Sequence, residues 1–276
     1  RGSVIKVESG GNLTIADSNT STPHNFNPDY KDSAWHIDMW KLDDSGSETV
    51  SGGVITGGSS DYAHNDGGGV LVNAGGTLTM TGGSIVGCSA RSRGGGVYLG
   101  KDSDTGKSGT FIMTGGSIIG CAAQLGGGVY VAQECTFAMA TSSNIHNCIA
   151  NNDGGGVINH GTFQMHGGTI SACTTVAFGG GGVCNKGTFI MSDGMIKGCT
   201  SPDGQYASGG GVRNSNQFTM TGGTIGDPNN ENDASHVYNT SSQETTLTIC
   251  DNAKIYTNVT NVGILNADGG EMSGTM

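Results

Sequence analysis

The chain has 276 residues, and 52 of them are glycine, far above the usual share of roughly 7%. Only 13% of the residues are charged and the formal net charge is −11, which argues against nucleic acid or an anionic membrane as a partner. Glycine does not recur at every third position, which excludes collagen, and no apolar run is long enough to span a membrane. The chain lacks a signal peptide at its start and ends inside a repeat, so we expect a fragment of a longer protein.

An isoleucine recurs every 25 to 33 residues along the chain and marks a repeat. Each repeat contains three short segments in which apolar and polar residues alternate, and glycine or polar residues bound each segment. Alternation of this kind is typical of β-strands, and a repeat of this length indicates a stacked solenoid. The isoleucines are Ile55, Ile85, Ile118, Ile145, Ile170, Ile196, Ile225 and Ile255.

Two further apolar columns appear when the repeats are aligned on the isoleucines. One is a valine column, predicted to run from Val70 to Ile264, and the other is a pair such as Phe163 and Met165. Because residues two apart on a strand face the same side, the columns predict one long, thin core. The sequence therefore predicts an all-β fold, a single right-handed parallel β-helix of about eight three-strand rungs over residues 1–276.

Glycine and asparagine mark the predicted corners of each rung. Glycine triplets precede the valine column, and we expect positive φ angles there. Asparagines follow the valine column by two residues, and stacked amides at a corner can hydrogen-bond from rung to rung. The predicted asparagine column consists of Asn159, Asn185, Asn214, Asn239 and Asn266.

Two motifs carry a resemblance to known repeats. Gly-Gly-Gly-Val-Tyr at 94–98 and Thr-Phe-x-Met-Thr-Gly-Gly-x-Ile-x-Gly at 110–120 resemble β-helix repeats in large, adhesin-like surface proteins of anaerobic gut bacteria. The resemblance covers nearly the whole chain except residues 18–48. It implies a monomeric, non-catalytic module, extracellular or attached to the cell wall, that binds a host glycoprotein or a glycan. Bacterial immunoglobulin-binding surface proteins are one such case.

Residues 18–48 form an insertion that interrupts the first rung and holds both tryptophans of the chain. Its alternating run from Trp35 to Leu42 is typical of a hairpin, which either caps the open end of the β-helix or binds a ligand. Tryptophan and tyrosine are favoured anchors at binding sites. The candidate binding residues here are Phe26, Tyr30, Trp35, His36 and Trp40.

A second candidate surface is the outward position that follows the valine column, which we call the outward strip. Its residues are Leu71, Tyr98, Tyr130, Ile158, Cys184, Arg213 and Tyr238. An exposed apolar strip could stack against sugar rings or contact a protein, or neighbouring loops could cover it. We take Tyr98, Tyr130, Arg213 and Tyr238 as candidate binding residues. The predicted loops at 89–93, 122–125, 151–153 and 201–206 line up along one edge and are further candidates.

The remaining motifs argue against catalysis, cofactors and metals. The segment 100–108 has five residues between its glycines where a phosphate-binding loop has four, so we interpret it as a solvated hairpin. The stacked cysteines should have parallel Cα–Cβ bonds, which suit a disulfide poorly, and their number is odd. We therefore predict free, packed thiols for the column of Cys88, Cys121, Cys148, Cys173 and Cys199. No Cys-x-x-Cys occurs, and no pair of carboxylates marks a glycosidase site. A carbohydrate-active lyase or hydrolase is the alternative function, and a structural spacer is the second.

Overall fold

The computed structural model describes residues 2–32, 37–60, 66–202, 209–230, 233–240 and 244–273. Its strands stack into a parallel β-helix of nine rungs, which confirms the predicted fold class. No helix occurs in the described ranges, so none of these residues forms a helix long and apolar enough to cross a membrane.

The strands follow one another around the rungs in chain order. The first rung begins with β1 (Ile5–Val7) and β2 (Asn12–Ile15), is interrupted by β3 (Pro23–Asp32), β4 (Ile37–Leu42) and β5 (Glu48–Ser51), and ends with β6 (Val54–Thr56) and β7 (Ser59–Ser60). Rungs 2 to 5 contain β8 (Val70–Val72), β9 (Thr77–Val86), β10 (Ser89–Arg93), β11 (Val97–Leu99), β12 (Thr110–Ile119), β13 (Ala122–Leu125), β14 (Val129–Val131), β15 (Thr136–His146), β16 (Ile149–Asp153), β17 (Val157–Asn159), β18 (Thr162–Ser171) and β19 (Thr174–Thr175). Rungs 6 to 9 contain β20 (Val183–Asn185), β21 (Thr188–Lys197), β22 (Val212–Asn214), β23 (Gln217–Met220), β24 (Thr224–Ile225), β25 (Val237–Asn239), β26 (Thr246–Ile255), β27 (Val259–Asn261) and β28 (Ile264–Met272).

Three parallel sheets run along the β-helix. The valine segments form a sheet of nine strands, and the Phe-Met and Ile segments together form a sheet of 11 strands. In most rungs these last two segments are one long strand with a register shift at the Gly-Gly pair. The third sheet contains β7, β10, β13, β16 and β19, so three of the segments predicted as loops, 89–93, 122–125 and 151–153, belong to strands.

The core consists of stacked identical side chains. Five fully buried phenylalanines lie above one another, with neighbouring ring centroids 4.5 to 4.8 Å apart. The predicted end of the valine column is wrong, because Val237 pairs with Val259, whereas Ile264 pairs with Thr246 in the second sheet. The segments Val259-Thr-Asn261 and Ile264-Leu-Asn266 share the same apolar-x-Asn pattern, so the sequence does not distinguish which of them continues the valine column.

The corners combine an amide column with glycines that serve two purposes. Asparagine amides donate from rung to rung over 2.7 to 2.8 Å, and Asn261 occupies the place predicted for Asn266. The first glycine of a triplet has a positive φ, as in Gly126 at 65°. The second is needed for close approach, since a Cβ atom at Gly127 would lie 2.4 Å from the Ile149 carbonyl oxygen.

Candidate functional site

The insertion forms a small antiparallel sheet, in the strand order β4-β3-β5, that packs against the side of the β-helix. Phe26 is fully buried, Trp40 is 7% exposed, and both pack against Val86 and Ile119 on successive rungs. The backbone N–H of Trp40 donates to the Gly120 carbonyl oxygen at 3.0 Å. Phe26 and Trp40 therefore stabilise the docking of the insertion and are not available to a ligand.

Two glycines create the surface on which Trp40 lies. Gly87 and Gly120 precede Cys88 and Cys121 and have φ angles of 58° and 57°. A Cβ atom at Gly120 would lie 2.1 Å from Trp40 Cγ, and one at Gly87 would lie 1.9 Å from the Trp40 carbonyl oxygen. The equivalent position in the fourth rung holds Asn147, so the glycine surface ends beyond Gly120.

The far part of the insertion reaches the fourth rung. Met39 packs against Ala122, with Tyr30 and Ile149 beside them, and the Trp40 ring lies edge-on to His146 with centroids 6.3 Å apart. The described part of the insertion therefore lies along the flank of the β-helix. The sequence had left two alternatives, a cap over the open end or a ligand-binding element. Two of the predicted binding residues, Trp35 and His36, lie outside the described residues.

A groove of about 650 Å³ opens between the insertion and the first two rungs, and we call it the insertion groove. Val4 and Leu42 are 48% and 46% exposed on its walls. Lys41 Nζ lies 4.3 Å from the centroid of the Tyr30 ring, which fixes a cation–π pair on the same wall. Three glycines, at positions 57, 58 and 87, line the groove, and a Cβ atom at Gly57 would meet nothing within 4 Å.

The insertion groove is the best candidate site because it is concave and largely apolar, with a few polar groups that could orient a ligand. Of the predicted binding residues, Tyr30 lines it. Sequence reasoning missed Val4, Lys41 and Leu42, because their positions give no sign that they meet in space. The pair Gly57-Gly58 was the available signal, since it stands outside the glycine triplets of the repeat.

The outward strip is largely covered, which corrects the interpretation of it as an exposed apolar surface. Tyr130 is 7% exposed, and Ile158 and Cys184 are fully buried. The Arg93 guanidinium lies over the rings of Tyr98 and Tyr130, at 5.2 and 5.4 Å from their centroids. Partly buried Leu125 packs against the same cluster, so side chains from the corner beside the strip exclude a ligand from its centre.

Ion pairs hold this cover in place. Arg93 forms a two-pronged bond to Asp66 at 2.9 and 2.7 Å. Asp153 is 6% exposed and pairs with Lys186 at 2.8 Å and with Arg213 at 3.3 Å. The predicted binding residue Arg213 is thus engaged within the protein, and the half-buried Tyr238 lies beside it in the next rung.

The cysteine column also packs within the protein. Each of its five thiols donates weakly to the carbonyl oxygen of an isoleucine one rung earlier, at 3.7 to 3.8 Å. Burial raises the pKa of Cys121 and Cys173 well above the ordinary value, so these thiols stay protonated and unreactive. Within the described ranges, no group of three His, Cys, Asp or Glu side chains is placed to hold a metal ion.

Comparison of the chain with protein-family models, with curated proteins and with solved structures finds no match. The residues and geometry of this chain are therefore the basis for inferring its function. Of its surfaces, the insertion groove combines concavity with exposed apolar side chains.

Proposed function

We propose that this protein is a non-catalytic binding module of a bacterial cell surface that recognises a host glycoprotein or a glycan through the insertion groove. The observation that carries the proposal is the exposure of Val4 and Leu42, beside the partly buried Tyr30, around a concave surface that the insertion builds. A β-helix needs no such groove for its own stability, because its columns are complete without the insertion.

The composition of the insertion groove supports binding more than catalysis. Its described lining contains a single charged side chain, that of Lys41, and contains no carboxylate or histidine. Hydrolysis of a glycosidic bond requires a pair of carboxyl groups across a cleft. The partly buried carboxylate of Asp66 and the buried carboxylate of Asp153 are both held in ion pairs elsewhere, which makes them poor candidates for that role.

The walls favour a protein ligand that inserts an apolar or aromatic side chain. Tyrosine is enriched among the residues that dominate binding energy at interfaces, and the aliphatic groups of Val4 and Leu42 would help to exclude water around Tyr30. The Tyr30 ring, already paired with Lys41, is held in place and loses little freedom on binding. The resemblance to gut bacterial surface repeats adds immunoglobulins to the ligands worth testing.

A pull-down from host serum and mucosal proteins, together with a glycan array, tests the proposal. We expect a specific ligand, and we expect Tyr30→Ala and Leu42→Ala each to weaken its binding at least tenfold. Ile112→Ala is the matched control, because Ile112 is 38% exposed on the third rung, outside the insertion groove. Equal binding by all variants would contradict the assignment of the site.

Two further outcomes would favour the alternative functions. Failure to bind any host protein or glycan would support a structural spacer. Release of oligosaccharides from a polysaccharide, abolished by a single carboxylate substitution, would support a carbohydrate-active enzyme.

A further inference from the structure

A second, polar cavity of about 480 Å³ lies at the corner that follows the first sheet in rungs 1 to 3. Its residues come from three separate stretches of the chain, and it shares no residue with the insertion groove. Glu8 and Asn73 lie on one side, Tyr98 on another, and the hairpin between Gly100 and Ser108 forms a wall. We call this cavity the polar pocket.

The hairpin wall is held in a defined shape by its own hydrogen bonds. The Asp102 N–H donates to the Lys107 carbonyl oxygen at 2.9 Å. The Asp102 carboxylate accepts from the N–H of Asp104 at 2.9 Å and from the Thr105 hydroxyl at 2.8 Å. Because the hairpin is already ordered, a ligand would not have to pay the entropy of folding it.

Lys107 is the most available cation of the polar pocket. Its Nζ is 3.3 Å from the Ser9 hydroxyl and forms no ion pair within the described ranges, whereas Lys101 pairs with Glu134 at 2.5 Å. The stem of Lys107 crosses Gly75, where a Cβ atom would lie 3.1 Å from Lys107 Cδ. A protein with a net charge of −11 thus directs an unpaired ammonium group into a cavity.

The other walls offer the edge of an aromatic ring and oxygen acceptors. The Tyr98 ring stacks on Tyr130 with centroids 5.3 Å apart, and a Cβ atom at Gly100 would lie 3.3 Å from its Cε1. The Asn73 amide donates to one oxygen of the Glu8 carboxylate at 2.6 Å, and Lys6 Nζ pairs with the other at 2.9 Å. The Asn73 carbonyl oxygen and the remaining lone pairs of the Glu8 carboxylate can still accept hydrogen bonds from a ligand. A fixed ring edge beside amide and carboxylate groups suits a ligand with several hydroxyl groups.

We propose that the polar pocket binds a saccharide unit that carries a carboxylate. Lys107 pairs with the carboxylate of the sugar, Asn73 and Glu8 accept hydrogen bonds from its hydroxyl groups, and the edge of the Tyr98 ring contacts its carbon skeleton. This site is additional to the insertion groove, and its test does not depend on the proposed function.

Isothermal titration calorimetry on the full chain tests the proposal, with glucuronic acid and N-acetylneuraminic acid as probes and with glucose and acetate for comparison. We expect at least one acidic sugar to bind at least tenfold more tightly than either glucose or acetate. Lys107→Gln should abolish this preference, and Lys107→Arg should retain most of it. Lys41→Gln in the insertion groove should leave it unchanged.

The opposite results would overturn the proposal. Equal affinity for acidic and neutral sugars would remove the role of Lys107, and equal affinity for acetate would reduce the site to a simple anion site. No binding by any of the four probes would also refute it. Lys107 lies on an exposed hairpin, so its substitution should leave the fold intact. Thermal unfolding of each variant checks this.

Discussion

Docking of the insertion depends on the Trp40 side chain, so we expect Trp40→Ala to release β3, β4 and β5 from the flank of the β-helix. Trp40 is 7% exposed, and removal of a buried aromatic side chain costs about 3 to 5 kcal/mol. At about 1.4 kcal/mol per tenfold change, hydrogen-exchange protection of the insertion should fall by roughly two to three and a half orders of magnitude. The rungs should keep their protection, because their columns do not include Trp40.

Hydrogen exchange followed by mass spectrometry separates peptides of the insertion from those of the rungs. Leu42→Ala is the matched control, since Leu42 lies in the same strand and is 46% exposed, and it should leave protection unchanged. Phe163→Ala should instead reduce protection of the central rungs. Unchanged protection of β3 to β5 in Trp40→Ala, or an equal loss across all rungs, would refute the reasoning.

Three further predictions concern pH, close packing and the amide column. Burial lowers the pKa of His146 from 6.5, so the folded state favours the neutral ring. The contribution of His146 to the free energy of unfolding should therefore be fully present above about pH 6.5 and be lost as the pH falls below it. Urea titrations at several pH values should show that the free energy of unfolding depends less on pH in His146→Gln. Thermal unfolding should show a larger loss for Gly127→Ala than for Gly53→Ala, because a Cβ atom at Gly53 would be 3.5 Å from its nearest neighbour and neither glycine has a positive φ. Asn185→Ala should cost about 1–3 kcal/mol in the same assay, since it breaks the amide column and leaves buried groups without partners.

The fold was predictable from the sequence because its largest core residues repeat. Each phenylalanine of the core column precedes its isoleucine by seven or eight residues, and this spacing indicates the register of most rungs. The third sheet was not predicted, because its buried column consists of small residues that resemble a loop. Those residues are Ser60, Ala90, Ala123, Ala150 and Thr175.

The candidate site was only partly predictable, because it depends on contacts between distant parts of the chain. The aromatic content of the insertion indicated that it matters, yet nothing distinguishes Gly87 and Gly120 in sequence from glycines elsewhere in the repeat. The outward strip was misjudged for a related reason. Arg93 and Asp153 precede the glycine triplets, and the sequence does not show that their side chains lie over the strip.

The docked insertion gives the rod two mechanically different ends. In a solenoid each turn contacts only its neighbours, so turns can separate one at a time from an end. The sheet of β3 to β5 contacts rungs 1 to 4 together and acts as a splint across them. Under a force along the axis, the rungs beyond the splint should therefore unfold one after another, whereas rungs 1 to 4 should unfold together in a single step. If the module holds a bacterium to its host, the splinted part would keep the insertion groove intact under load.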